Sequence, residues 1–143
     1  MTSTIERRIT VGIYETQPLI VAGLRTALET DGTYALLEPA RSLDDAVRLV
    51  IGSCPRVMIL DKAFGSPAIT DFLTRLRDRV PTSFVVWSHS MTEPEALRLL
   101  KLGARGIIRK TAETGSLLAC LEAVAAGFPG CRPLFTSPEL LNG

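Results

Sequence analysis

The residues with the most chemistry in this sequence stand at the ends of apolar runs. Val57-Met58-Ile59-Leu60 is four apolar residues, two of them β-branched, followed at once by Asp61. Such a run predicts a strand buried on both faces. A carboxylate at its end is costly to bury unless a cation pairs with it. Lys110, which closes the run Gly106-Ile107-Ile108-Arg109-Lys110, is the leading candidate for that cation. Two further runs end in polar residues: Ile9 to Tyr14 is followed by Glu15 and Thr16, and Phe84-Val85-Val86-Trp87 by Ser88. Glu15 or Ser88 alone reads as a strand end meeting solvent. Two acids, two hydroxyls and one lysine at successive strand ends are a candidate ligand-binding cluster, provided that the fold brings those ends together.

The elements between them predict such a fold. Pro18 suits the first turn of a helix, over which Leu19, Ala22 or Gly23, and Ala27 recur with Ile20, Leu24 and Leu28 beside them, until Asp31-Gly32. Tyr34 to Glu38 reads as a short second strand, and Ser42 as the N-cap of a helix carrying Ala46, Leu49 and Val50. Gly52-Ser53-Cys54-Pro55 stops it before the central strand. Beyond a Gly65-Ser66-Pro67 loop, Ile69, Phe72, Leu73 and Leu76 mark one face of another helix, and Pro81 the next break. Glu93-Pro94-Glu95 opens a helix with acids where the macrodipole favours them, and Gly103 closes it. Ile107-Ile108 is a short fifth strand, and Thr114 to Ala126 a last amphipathic helix with Leu117, Leu121, Val124 and Ala125 on its apolar side. Strand and helix alternate with short connections, which predicts a parallel sheet covered on both faces. Ligands then bind beyond the carboxyl ends of the strands, where the strand order reverses.

Composition narrows the function. At 143 residues, 46% hydrophobic and 22% charged, the chain is sized for one domain with its own core. A formal charge of +1 provides no basic field for nucleic acid. No apolar run approaches the ~18 residues of a membrane span, and the polar stretch Met1 to Arg8 resembles neither signal peptide nor anchor, so the cytoplasm is expected. Tyr14-Glu15-Thr16-Gln17 stands where a dinucleotide-binding glycine motif would follow the first strand. Cys54, Cys120 and Cys131 read as buried thiols packed as small apolar residues. The single histidine, His89, reads as an exposed loop residue, and Trp87 as packing. The Leu97-Leu99-Leu100-Leu102 cluster is broader than one helical stripe requires, with core packing the simpler account.

In the register of these elements the chain resembles a receiver domain of a bacterial two-component response regulator, of the LuxR/NarL/FixJ type. The stretches that carry the resemblance are Ile9 to Leu28 with Pro18 and Gly23 in place, Val57 to Asp61, Phe84 to Ser88, and Ala104 to Lys110. It implies a flavodoxin-like, doubly wound, five-stranded parallel sheet in the order 2-1-3-4-5. It also implies a flexible N-terminus over 1–8, a receiver over 9–127, and a linker over 128–143 toward an output domain. In the family, the aspartate matched by Asp61 accepts a phosphoryl group from a sensor histidine kinase. The residues matched by Lys110 and Ser88 contact that group. Magnesium is held by the acid pair matched by Glu15 and Thr16, by Asp61, and by the backbone carbonyl at Ala63. The partners implied are the kinase, a second copy in a homodimer, and DNA only through an output domain outside this chain. No enzyme activity is implied beyond acceptance of the phosphoryl group on Asp61.

The departures from the pattern are specific. Thr16 replaces the acid that ligates the metal directly, so weaker magnesium binding is expected, with Asp61 and Lys110 freer to pair. Ile107 stands in place of the family's switch aromatic, and Thr111 rather than proline follows Lys110. Thr16 and Ile107 support an alternative, a phosphorylation-independent pseudo-receiver used for protein interaction or dimerisation; Asp61, Ser88 and Lys110 speak against it. A small α/β enzyme using Asp61 is third, lacking a general-base partner.

Overall fold

The computed structural model describes residues 8–126. Five parallel strands form one sheet in the order β2-β1-β3-β4-β5. In chain order these are β1 (Ile9–Tyr14), β2 (Tyr34–Leu36), β3 (Val57–Asp61), β4 (Ser83–Ser88) and β5 (Ala104–Arg109). Between and after them run α1 (Pro18–Asp31), α2 (Leu43–Ser53), α3 (Ser66–Leu76), α4 (Glu93–Leu102) and α5 (Thr114–Ala125), with a 3-10 turn at Lys62–Phe64. This is the expected doubly wound sheet. The tail expected over 128–143 and most of the N-terminal segment lie outside the described residues, as does Cys131.

Alternation along the strands divides the core in two. Met58, Leu60, Phe84, Val86 and Ile107 face one side and pack against α2, α3 and α4. Val57, Ile59, Val85, Trp87 and Ile108 face the other and pack against α1 and α5. β3 is buried along its whole length, as its apolar run requires. Gly12 has a steric role here: a Cβ on it would come within 2.6 Å of Met58 Sδ.

Local signals end the helices where their residue types dictate. Gly32 takes a left-handed φ of 80° and its N–H returns to Leu28 O. Ser42 Oγ accepts from Asp45 N at 3.0 Å. At α4 a capping box forms, with Thr92 and Glu95 each accepting the other's backbone N–H.

Some expectations need correction. The buried line of α1 is Val21, Leu24 and Leu28, while Leu19 is 85% exposed. Leu19 lies two positions from Val21, roughly 200° around a helix of 3.6 residues per turn, so it faces the opposite way. β2 stops at Leu36 rather than Glu38; Leu37 and Ala40 still donate to β1 carbonyls, but Pro39 between them has no N–H. β5 is longer than Ile107-Ile108 and is irregular, pairing Phe84 with Ala104 and then Val85 with Gly106. Arg105 is the extra residue, an exposed bulge. Cys54 is exposed and free, and Cys120, though buried, is disulfide-bonded rather than a free thiol.

Candidate functional site

The strand order reverses between β1 and β3, and Glu15 and Asp61 stand at the carboxyl ends of those two strands. Lys110, the first residue after β5, reaches both. Its Nζ is 2.8 Å from Glu15 Oε1 and 2.9 Å from Asp61 Oδ2. Side-chain exposure is 3% for the lysine, 0% for the glutamate and 5% for the aspartate, so water contributes almost nothing to neutralising them. The second oxygen of each carboxylate is held the same way, by a backbone N–H two residues on: Gln17 N to Glu15 Oε2 at 3.1 Å, Ala63 N to Asp61 Oδ1 at 3.0 Å. Glu15 Oε1 has no aligned hydrogen bond and relies on the ionic contact.

The electrostatics follow from that count. Burial alone would lower the Lys110 pKa, but the close contacts with the Glu15 and Asp61 carboxylates, and their charges, outweigh burial and raise it above its ordinary 10.5. The amine is therefore a permanent ammonium, facing two carboxylates that together carry one more charge than it can balance. Tyr14, at the end of β1, has its phenol pKa raised by burial first and by the Asp61 charge second. Lys110 Nζ also sits 5.6 Å from the centroid of the Trp87 ring, within cation–π reach. Trp87 therefore packs, as expected, and additionally forms a wall of the lysine site.

Ser88 ends β4 on the same rim. Its backbone O accepts from Lys110 N at 2.8 Å, which fixes the two chain segments together. Its hydroxyl turns to its own loop, donating to Ser90 O at 2.5 Å and accepting from Ser90 N at 3.1 Å. Chemically, the rim presents a buried carboxylate oxygen beside a fixed cation, the arrangement a phosphoryl or other anionic group needs when an oxygen nucleophile attacks it.

No family model matches the sequence, and no curated protein does. The fold has solved counterparts. A LuxR-family two-component response regulator from Aurantimonas sp. SI85-9A1 superposes with a TM-score of 0.79 at 20% identity, over 94% of both chains. The signal receiver domain of the response regulator NarL from Mycobacterium tuberculosis gives 0.76 at 21% identity, over 85% of this chain and 98% of that one. A LuxR-family DNA-binding response regulator from Silicibacter pomeroyi gives 0.69 at 26% identity, over 85% and 94%. The chain has the receiver-domain fold.

Within that receiver fold, Glu15, Asp61 and Lys110 are in contact, and Ser88 is tied to Lys110 through the backbone. Thr16 is exposed and makes no part of the triad. Ala63 contributes its N–H to Asp61. Ile107 is buried in the α2–α4 side of the core, and His89 is exposed. Leu99 is buried and Leu97, Leu100 and Leu102 pack against the same core, so the broad leucine cluster of α4 is accounted for by packing. No helix of the described residues is long and apolar enough to cross a membrane. Two residues escaped the sequence reading. Lys62, next to Asp61, places Nζ 2.9 Å from Glu95 Oε2 and donates to Ser90 O at 3.3 Å. Glu95 is legible as a helix-opening acid, and Thr92 three residues before it signals a capping box, but neither indicates a lysine across the rim.

Proposed function

We propose that this receiver-fold domain accepts a phosphoryl group on Asp61 and uses it to bias an output domain elsewhere in the protein. One observation carries the reading: a single buried ammonium joins Asp61 and Glu15 at the sheet's switch point. An Asp61 carboxylate oxygen attacks phosphorus, the bond from phosphorus to the donor breaks with its electron pair leaving on the donor, and an acyl phosphate remains. Lys110 keeps its proton and neutralises the incoming oxygens. Ser88 supplies a hydroxyl to one of them after leaving Ser90.

The carboxylates of Glu15 and Asp61 are hard oxygen donors of the type magnesium takes, and one or two carboxylates plus water suffice for that ion. Among the described residues no third acid, histidine or cysteine joins them. Glu15, Asp61 and the Ala63 carbonyl would hold the ion, with Thr16 a weak or lost ligand. Bound there, magnesium supplies further neutralisation of phosphoryl oxygens. The partners that fit this reading are a sensor histidine kinase, a second copy of the chain, and DNA through a LuxR-type output domain only. The module turns nothing over, and the cytoplasm is its expected place.

The second reading, a module that no longer uses phosphate, rests on exposed Thr16 and the missing third acid. Intact mass after incubation with phosphoramidate and magnesium separates the two. A single phosphoryl adduct on the wild type, absent in Asp61→Asn, is expected. An adduct only on Thr16→Asp favours the second reading.

A further inference from the structure

The geometry points to Lys62 and Glu95 as positioning residues that latch the β4–α4 segment and keep the Ser88 hydroxyl on the carbonyl of Ser90. Three observations meet at that carbonyl. It accepts from Ser88 Oγ at 2.5 Å and from Lys62 Nζ at 3.3 Å, and the same ammonium lies 2.9 Å from Glu95 Oε2. Glu95 is itself fixed: its other oxygen, Oε1, accepts from Thr92 N at 3.0 Å and from the Thr92 hydroxyl at 3.1 Å. The first turn of α4 is thus joined, through Glu95 and Lys62, to the residue that follows Asp61.

The consequence concerns Ser88. A hydroxyl has one proton to donate, and here it goes to Ser90 O. Rotating Ser88 toward an incoming phosphoryl oxygen leaves Ser90 O with Lys62 alone and frees the Ser90 N–H that Ser88 Oγ accepts. While Lys62 stays clamped to Glu95, the segment from Ser88 to Thr92 is held in the arrangement that favours the bond to Ser90. The resting site is therefore latched from outside the triad, by a half-exposed ion pair. The Glu95 pKa is lowered to about 2, by the bond from Lys62 first and then by those from Thr92, so its carboxylate is charged near neutral pH. Such a pair yields to salt.

The part of this inference that concerns the phosphoryl group rests on the function proposed above; the latch itself is tested without any phosphodonor. The substitutions are chosen to spare the fold. Glu95→Gln keeps a side chain that serves a capping box equally well, and Lys62→Met keeps the aliphatic stem while removing the donor. Amide hydrogen exchange is followed by NMR, residue by residue. Exchange at Ser90 N is expected to quicken about two- to fivefold in each variant, the range that an exposed ion pair supports. The double variant should add little, because the two act as one unit. In 1 M salt the wild type should approach the variants, which themselves should not move.

Unchanged exchange at Ser90 in both variants, or an equal rise across the whole sheet, would overturn the latch. A second readout is the rate of adduct formation with phosphoramidate. It should rise in Lys62→Met and Glu95→Gln by the same two- to fivefold, and the rise should vanish in a Ser88→Ala background. Failure of the wild type to form any adduct defeats the proposed function and leaves the exchange result to decide the latch.

Discussion

At the start of β3 the Arg56 guanidinium donates to the carbonyl of Ala125, through Nε at 2.9 Å and Nη2 at 2.6 Å. Beside it, Arg56 N donates to Thr10 O at 2.9 Å and the Thr82 hydroxyl donates to Pro55 O at 2.7 Å. Five residues on, at the finish of the same strand, Asp61 and Glu15 share one ammonium. The lower rim ends its polar groups on neutral backbone carbonyls, and Arg56 itself stays exposed to water. The upper rim buries full charges whose principal partners are one another. A cation on a helix's last carbonyl is a fold-holding device; a buried, imbalanced charge cluster is costly for stability and is where chemistry is found. One strand thus separates an end closed on backbone carbonyls from an end that buries charge.

The largest test of that contrast is Lys110→Met. Removing the ammonium leaves two buried carboxylates facing each other, at a cost of about 3–5 kcal/mol near neutral pH. Urea unfolding at neutral pH measures that loss, and one below about 1 kcal/mol would mean that the carboxylates do not depend on the lysine.

Gly12→Ala probes packing between the rims. Its new methyl meets Met58 Sδ, Leu49 and Pro55, all within 3.3 Å, and should cost about 1–3 kcal/mol by denaturation. Arg56→Met tests the lower rim itself. It removes a charged donor pair from Ala125, worth about 1.5 kcal/mol, and the loss should be flat between pH 5 and pH 9 with the Asp61 adduct unaffected. A change in adduct yield in Arg56→Met would erase the division between the ends. The smallest effect is expected in the wild type on alkaline titration. The Lys110 pKa is raised in the fold, so its contribution is complete below the ordinary 10.5 and is lost as pH climbs through the folded value. Thermal unfolding from pH 9 to pH 12 should decline more steeply in the wild type than in Lys110→Met.

Much of this was legible from the sequence because the strongest signals are periodic or punctual. Val57 to Leu60 has the pattern of a doubly buried strand, and a charge at its end requires a partner; Lys110 closes another apolar run and carries the opposite charge. The caps at Gly32 and Ser42 follow from residue type alone. The unread parts depend on choices that no periodicity encodes. Whether Ser88 points to its own loop or to Asp61 is one side-chain rotation. Lys62 and Glu95 meet across 33 positions, and nothing in either's neighbourhood announces the other. Leu19 was misplaced because α1 has apolar residues on both sides of its buried line, so spacing alone admits more than one face.

The bulge at Arg105 decides where on the rim the lysine arrives. Had β5 continued regularly from Ala104, Ile107 and Ile108 would have exchanged sides of the sheet, and the amine end of the run would have arrived one step late on the rim. Arg105 takes up that surplus residue at the beginning of the strand. The register beside Ser88, and with it the reach of the lysine, is thus set at the far end of β5.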